Sequence, residues 1–213
     1  MRVISPSLLS ADFKHIQRDI DIVESAGATR LHLDVMDGHF VPNLTFGPFI
    51  IKFIRQCTSC HLETHLMIEN PAASFDQYIK AGSDTIIFHI ETSDDPLEEL
   101  KYLKSNGVSA GIALNPDTDL KKILPLVDNL DYLLIMSVFP GKGGQSFIPS
   151  ALDKMKAAVA LREKRNFTIG VDGGVNLSTI KEVYATGIDV TIVGSGLFKS
   201  VDIPARFQEL MNA

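Results

Sequence analysis

The alternation of strand-like and helix-like segments along the 213-residue chain predicts an α/β fold, a single (β/α)8 TIM barrel that spans residues 1–213. Three observations carry this prediction. The two patterns alternate eight times, and most strand segments are apolar runs, as expected of parallel strands covered on both faces. A glycine repeatedly follows a helix, where the chain must turn back to a strand. A doubly wound open sheet is the alternative, but no G-x-G-x-x-G motif follows the first strand.

The predicted strands are short and apolar, and most end near a glycine, proline or asparagine. The first is interrupted by Pro6, and the second breaks at Asp37-Gly38. A loop rich in glycine, proline and asparagine follows at 38–48, and loops of this kind tend to carry function. The strands are expected at 3–9, 31–38, 61–67, 84–90, 109–114, 132–138, 167–171 and 189–193.

The predicted helices begin at capping residues and end at glycines. Asp95-Pro96 is an example, because aspartate caps a helix and proline fits its first turn. Ala26-Gly27 ends the first predicted helix, because glycine is the common residue just after a helix. The helices are expected at about 10–26, 48–56, 70–81, 95–106, 119–127, 150–165, 177–186 and 203–211.

Composition excludes several classes of function. The formal net charge is −6 and no basic cluster occurs, so neither nucleic acid nor an anionic membrane surface is expected as a partner. No apolar run approaches the length of a membrane span, and the start of the chain lacks a signal-peptide core, which predicts a cytoplasmic protein. Cys57 and Cys60 form one C-x-x-C pair; reduced thiols are favoured over a redox motif or half of a zinc site.

Polar residues mark the ends of several predicted strands. His32 and Asp34 are two residues apart in a strand and therefore share a face. A buried histidine–aspartate hydrogen bond would explain this pair alone. However, other polar residues also fall at strand ends, where the active site of a (β/α)8 barrel lies. They are Ser7, His65, His89, Asn115, Ser137, Asp172, Gly194 and Ser195.

Two imidazoles and two carboxylates in this set predict a metal site. His32, Asp34, His65 and Asp172 offer nitrogen and oxygen ligands, which suit one divalent Zn, Fe, Mn or Co ion better than Mg or Ca. His89 is left outside the ligand set. The glycine-rich segments Gly141-Lys142-Gly143-Gly144, Gly173-Gly174 and Gly194-Ser195 follow the last three strands, where barrels often bind phosphate. Together these features predict a small phosphorylated substrate with oxygens that chelate.

At this point the chain resembles the ribulose-phosphate 3-epimerase family. The matching motifs occur in order over essentially the whole length, at 5–13, 31–43, 65–67, 136–138, 140–145 and 171–175. The resemblance implies that Asp34 and Asp172 are acid/base groups and that His32, Asp34, His65 and Asp172 hold the metal. The substrate-binding residues that it implies are Ser7, Met36, His65, Met67, Met136, Gly141, Lys142, Gly143, Gly144, Asp172, Gly173, Gly174, Gly194 and Ser195.

The function implied is interconversion of D-ribulose 5-phosphate and D-xylulose 5-phosphate by proton transfer at C3, a step of the pentose phosphate pathway. One carboxyl group on each face of the substrate would move the proton, and a divalent ion would stabilise the enediolate. We also expect a homo-oligomer. The alternatives are a 3-epimerase of a longer ketose phosphate such as allulose 6-phosphate, a barrel lyase, and a non-enzymatic binding module. No lysine falls at a strand end inside the barrel, which disfavours a Schiff-base aldolase.

The sixth loop departs from the family. Phe139 stands where the family usually has Asn, Asp or Glu, and Lys142 stands where it usually has Phe. Lys142 either adds a positive charge near the phosphate or is a solvated loop residue.

Overall fold

Eight parallel strands form a nearly closed barrel in the computed structural model, which describes residues 2–162 and 165–213. Each strand pairs with its neighbour in sequence from β2 to β8, and β8 pairs with β1. Between β1 and β2 the described backbone pairs through a single bridge, Ser7 with His32. The strands are β1 (Val3–Pro6), β2 (Arg30–Met36), β3 (His61–Met67), β4 (Thr85–His89), β5 (Ser109–Leu114), β6 (Tyr132–Met136), β7 (Thr168–Asp172) and β8 (Val190–Val193). The predicted fold class is confirmed.

The helices follow the strands on the outside of the barrel. Pro48 begins α2 and Pro96 begins α4 at the helix start, where proline costs no hydrogen bond. The helices are α1 (Ile16–Ser25), α2 (Pro48–Cys57), α3 (Phe75–Ala81), α4 (Pro96–Ser105), α5 (Ala151–Arg162), α6 (Ile180–Ala185), α7 (Ser195–Phe198) and α8 (Ile203–Met211). None of them, within the described ranges, combines the length and the apolar character needed to cross a membrane.

Three helix predictions need correction. The segment 119–127 is not an α-helix but a 3₁₀ turn at Leu120–Ile123 followed by turns. Pro125 explains this, because proline has no N–H and collides with the preceding helical turn. The helices expected at 10–26 and 70–81 each begin with a 3₁₀ turn, at Phe13–His15 and Pro71–Ser74. The predicted end of the helix at 150–165 includes Glu163 and Lys164, which lie outside the described residues.

Apolar side chains pack on both sides of the strands. The larger cluster lies between strands and helices and includes Phe75 and Phe88, whose ring centroids are 5.5 Å apart. The smaller cluster contains Tyr132, Leu134 and Met136 of β6 together with Ile192 of β8. Tyr132 fits because Gly170 on the neighbouring strand has no side chain where the tyrosine ring lies. The core on both faces accounts for the apolar strands seen in the sequence.

A charged pair lies at the base of β2 and β3. Glu63 is fully buried, and Arg30 Nη1 donates to its Oε1 at 2.7 Å. Ser5 Oγ of β1 donates to the other oxygen, Oε2, also at 2.7 Å. Since a buried carboxylate needs such partners, these bonds fix the face of β3 that also carries His65.

Candidate active site

Strand register brings the four predicted metal ligands together. Asp34 of β2 stands opposite His65 of β3, and His32 stands opposite Glu63. Since alternate residues share a face, His32, Asp34 and His65 all point to the same side of the sheet. Asp172 arrives from across the barrel as the last residue of β7. The sequence placed Asp172 just after its strand, so its position differs by one residue.

The four side chains form one compact cluster. Each offers a ligand atom, and these atoms all lie within 4.8 Å of one another. Asp34 Oδ1 lies 3.4 Å from His32 Nε2 and 3.3 Å from His65 Nδ1, and Asp172 Oδ2 lies 3.8 Å from His65 Nδ1. Two imidazole nitrogens and two carboxylate oxygens converging in this way match the donor set that binds Zn²⁺ and similar divalent ions.

The electrostatics of the cluster also fit a cation. Burial together with the charge of Asp34 raises the pKa of Asp172 to about 7, so the two carboxyl groups do not readily ionise side by side. Burial disfavours the charged form of Asp34 as well, but His32 and His65 lower its pKa. Burial and the neighbouring His89 and His32 lower the pKa of His65 to about 4, which leaves this imidazole neutral. A divalent ion would neutralise both carboxylates and needs such a neutral ligand.

A cleft of about 550 Å³, including the open space at its mouth, lies above the cluster. Its size suits a small ligand. Asp34 and Asp172 line it, whereas His32 and His65 are fully buried beneath it. The other predicted substrate-binding residues that line it are Ser7, Met36, Met67, Met136, Gly141, Lys142, Gly143, Gly144, Gly173, Gly174, Gly194 and Ser195. The structure thus gathers the predicted residues around one cleft, with His65 below it.

Glycines from the loops after β6, β7 and β8 line part of the cleft. Gly174 has φ +67°, and a Cβ there would collide with the backbone of Phe147. At Gly194 a Cβ would lie 2.7 Å from Ser10 Oγ. The loop after β7 therefore lies close to the loop after β6, and the end of β8 lies close to the segment after β1. Helix α7 begins at Ser195, directly after Gly194. A phosphate can be bound by N–H groups in such a place.

Sequence reasoning missed part of the site. Ser10 and Gln145 line the cleft, and Gln145 Nε2 donates to the carbonyl oxygens of Phe139 and Lys142 at 2.7 and 3.0 Å. Glu63, beneath the cluster, lies 3.6 Å from His32 Nδ1 through its Oε2. Glu63 precedes His65 by two residues, and that spacing was the available signal. The expected free thiols agree with the structure: Cys57 and Cys60 are unpaired, and burial raises the pKa of Cys60 to about 11.

Comparisons with known proteins agree with this geometry. The family model described as "Ribulose-phosphate 3 epimerase family" matches residues 3–198. The ribulose-phosphate 3-epimerase of Bacillus subtilis is 40% identical over 210 residues, 97% of each chain. The Escherichia coli K12 enzyme of that name is 39% identical over 211 residues, which cover 98% of this chain and 94% of the relative.

Solved structures agree on the fold. The 3-hexulose-6-phosphate synthase of Salmonella typhimurium superposes with a TM-score of 0.74 at 18% identity, over 100% of this chain and 97% of that one. At this identity the likeness concerns the barrel alone. The family model and the two relatives show more: the chain belongs to the ribulose-phosphate 3-epimerase family.

Proposed function

We propose that this protein is a single-domain, metal-dependent enzyme that interconverts D-ribulose 5-phosphate and D-xylulose 5-phosphate. The observation that carries the proposal is the placement of two carboxyl groups, Asp34 and Asp172, at the floor of one cleft. They come from β2 and β7, which are not neighbours in the barrel. Epimerisation requires removal of a proton from one face of C3 and its return to the other face, and two carboxyl groups from separate strands can supply both.

The two carboxyl groups have distinct hydrogen-bond environments. Ser7 Oγ donates to Asp34 Oδ2 at 2.5 Å, which orients that carboxylate in the cleft. Asp172 is anchored through its backbone, since its carbonyl oxygen accepts hydrogen bonds from the backbone N–H and the hydroxyl of Ser137 at 2.8 and 3.0 Å. The Asp34 carboxylate and the backbone that carries Asp172 are therefore held in place before a substrate arrives, which favours acid/base catalysis.

His32, Asp34, His65 and Asp172 are the residues that would hold one divalent ion, with Zn, Fe, Mn or Co as candidates. When bound, such an ion supplies Lewis acidity towards substrate oxygens. Met36, Met67 and Met136 line the cleft next to the carboxyl groups. Their thioethers exclude water and are weak ligands that leave the ion to the two histidines and the two carboxyl groups. The glycine-lined end of the cleft would take the phosphate.

Solvent deuterium tests the reaction. The protein, incubated in D₂O with D-ribulose 5-phosphate, should incorporate label at C3 and yield D-xylulose 5-phosphate. Release of an aldehyde or of carbon dioxide would instead indicate a lyase. Faster turnover of allulose 6-phosphate in a panel of ketose phosphates would contradict the pentulose substrate. Dialysis against a chelator should remove the activity, and separate addition of Zn²⁺, Fe²⁺, Mn²⁺ and Co²⁺ would identify the ion.

We also propose that the protein assembles into a homo-oligomer in the cytoplasm. Three apolar side chains support the oligomer, because Leu44, Phe49 and Phe53 are 74%, 72% and 50% exposed. The rings of Phe49 and Phe53 are 5.0 Å apart and so form a continuous apolar surface. Light scattering on the purified protein and on Phe49→Ser would test this proposal, since a stable monomer in the unmodified protein contradicts it.

A further inference from the structure

A chain of three polar side chains leads away from the metal-binding cluster along the end of β4. His65 Nε2 lies 2.9 Å from His89 Nε2, and His89 Nδ1 lies 3.1 Å from Glu91 Oε2. Both imidazoles are fully buried, and their ring centroids are 5.0 Å apart. The remaining ring nitrogen, His65 Nδ1, faces the cluster. The chain therefore connects a carboxylate outside the cluster to a nitrogen that a metal ion would need.

Hydrogen-bond rules fix the position of each proton along this chain. A carboxylate only accepts, so the ring nitrogen of His89 that faces Glu91 must carry the proton. In the neutral form of His89 the single N–H is the one on Nδ1, and Nε2 is then an acceptor. The proton between the two imidazoles then belongs to His65 Nε2. His65 Nδ1 is left with a lone pair that points into the cluster.

Asp34 competes for the proton of His65, because its Oδ1 lies 3.3 Å from His65 Nδ1. That oxygen has a second imidazole within reach, since His32 Nε2 lies 3.4 Å away. Among the described side chains, Glu91 Oε2 accepts a hydrogen bond from His89 alone. A lone pair on His89 Nδ1 would leave this carboxylate oxygen facing another acceptor at 3.1 Å. The Glu91 end of the chain therefore decides the tautomers.

Glu91 is itself held in one orientation. Its other oxygen, Oε1, accepts hydrogen bonds from the backbone N–H of Asn115 at 2.9 Å and from the hydroxyl of Thr118. Lys154 Nζ fixes the same loop by donating to the carbonyl oxygens of Asn115 and Thr118 at 2.8 and 2.7 Å. Burial would raise the pKa of Glu91, but the hydrogen bonds from His89, Thr118 and Asn115 lower it to about 2.

We propose that His89 and Glu91 are positioning residues for the metal site: they hold His65 in the tautomer that presents the Nδ1 lone pair to the divalent ion. The inference rests on the proposed metal-dependent function and adds two residues that lie outside the ligand cluster. Carboxylates that hydrogen-bond to a ligating histidine commonly fix its tautomer in this manner, and here a second imidazole lies between them.

Glu91→Gln tests the direction in which hydrogen bonds are donated along His65, His89 and Glu91. The N–H of Asn115 and the hydroxyl of Thr118 are donors, so the amide oxygen of a glutamine must take their side. Its NH₂ group must then face His89 Nδ1 and donate to it. This reverses the chain: His89 carries its proton on Nε2, and His65 is left with its proton on Nδ1, where it opposes the metal.

The experiment reads tautomers and metal affinity rather than turnover. Long-range ¹H–¹⁵N spectra of the histidine rings in the metal-free protein should show His89 protonated on Nδ1 in the unmodified protein and on Nε2 in Glu91→Gln. Competition with a chromophoric chelator should show Zn²⁺ affinity reduced roughly 10–100-fold in Glu91→Gln. Two controls should keep the original affinity. Thr118→Val removes a donor to Oε1 but leaves a carboxylate facing His89. Glu99→Gln removes a carboxylate that accepts from Ser93 rather than from His89.

The outcomes are separable. His89 protonated on Nε2 in the unmodified protein overturns the proposal, and this reading needs no variant to fold. Unchanged Zn²⁺ affinity in a folded Glu91→Gln protein overturns it as well, while the metal site itself stands. Failure of the unmodified protein to bind any of Zn²⁺, Fe²⁺, Mn²⁺ and Co²⁺ overturns the metal site and this inference together.

Discussion

Asp34 and Asp172 face the same cleft, yet their pKa values are displaced in opposite directions. Burial and the charge of Asp34 raise the pKa of Asp172 to about 7. Asp34 is also buried, but His32 and His65 lie next to it and lower its pKa. Identical groups thus acquire different proton affinities from their neighbours, as a pair that exchanges one proton between two faces of a substrate requires.

Removing either carboxyl group should abolish epimerisation. We expect Asp34→Asn and Asp172→Asn each to lower kcat in both directions by at least about 100-fold, the usual contribution of a positioned acid/base group. Circular dichroism should show an intact fold, since asparagine has nearly the same volume as aspartate. Near-native turnover in either variant with metal bound would contradict the two-carboxylate mechanism.

The raised pKa of Asp172 makes a prediction for stability without metal. A raised folded-state pKa means that the folded protein holds the proton more tightly than the unfolded chain. The stabilisation is complete below the ordinary pKa of 3.8 and is lost as the pH rises through about 7. The free energy of unfolding of the metal-free protein, relative to Asp172→Asn, should therefore fall between pH 4 and 7, by at most about 1.4 kcal/mol per pH unit.

Urea denaturation of both metal-free proteins at several pH values would measure this difference. Saturating Zn²⁺ should flatten the slope, because the ion takes the place of the proton. If the difference in the free energy of unfolding between the two metal-free proteins is independent of pH, the pKa of Asp172 is not raised.

Lys142 should contribute to substrate binding by charge. It lines the cleft on the exposed loop after β6. If its ammonium contacts the phosphate, Lys142→Ala should raise KM roughly fivefold, or about 1 kcal/mol, as expected for an exposed ion pair. The effect should shrink as salt rises, with little change in kcat. Lys142→Phe restores the usual residue of the family, and a KM like that of the unmodified protein there would favour coverage of the site over charge.

Gly174 should be essential for the shape of the phosphate end. Alanine at Gly174 and at Gly38 meets similar backbone strain, since φ is +67° and +77°. Only Gly174 has a close neighbour, because a Cβ there would lie 2.7 Å from Phe147 Cα whereas Gly38 has nothing within 4 Å. We expect Gly38→Ala to cost about 1–2 kcal/mol of stability and Gly174→Ala a further ~1–3 kcal/mol.

Urea denaturation would compare the two glycine variants, and KM for the ketose phosphate would be measured in parallel. KM should rise in Gly174→Ala alone. Equal stability losses would mean that the collision with Phe147 is relieved without cost.

The sequence predicts the strands and the ligand cluster better than the helices. His32, Asp34 and His65 could be placed on one face because side chains alternate in a strand, and parallel pairing preserves that alternation. The helix predicted at 119–127 was wrong, because Pro125 prevents an α-helix there. The contact between His89 and His65 could not be read from sequence. It depends on the register between β3 and β4 and on the rotamers of the two rings, and neither produces a periodic pattern in the sequence.

A single backbone bridge connects β1 and β2 next to the active site, fewer than between any other neighbouring strands in the described part of the barrel. A side-chain hydrogen bond also connects the two strands, since Ser7 Oγ, just after β1, donates to Asp34 Oδ2 of β2 at 2.5 Å. A ligand that contacts both strands should stabilise the closed barrel, because a ligand that binds only the closed form shifts the equilibrium towards that form by mass action. Amide protons along β1 and the first half of β2 should accordingly exchange faster in the empty protein than those of β5 and β6, and slow when metal and sugar phosphate are added.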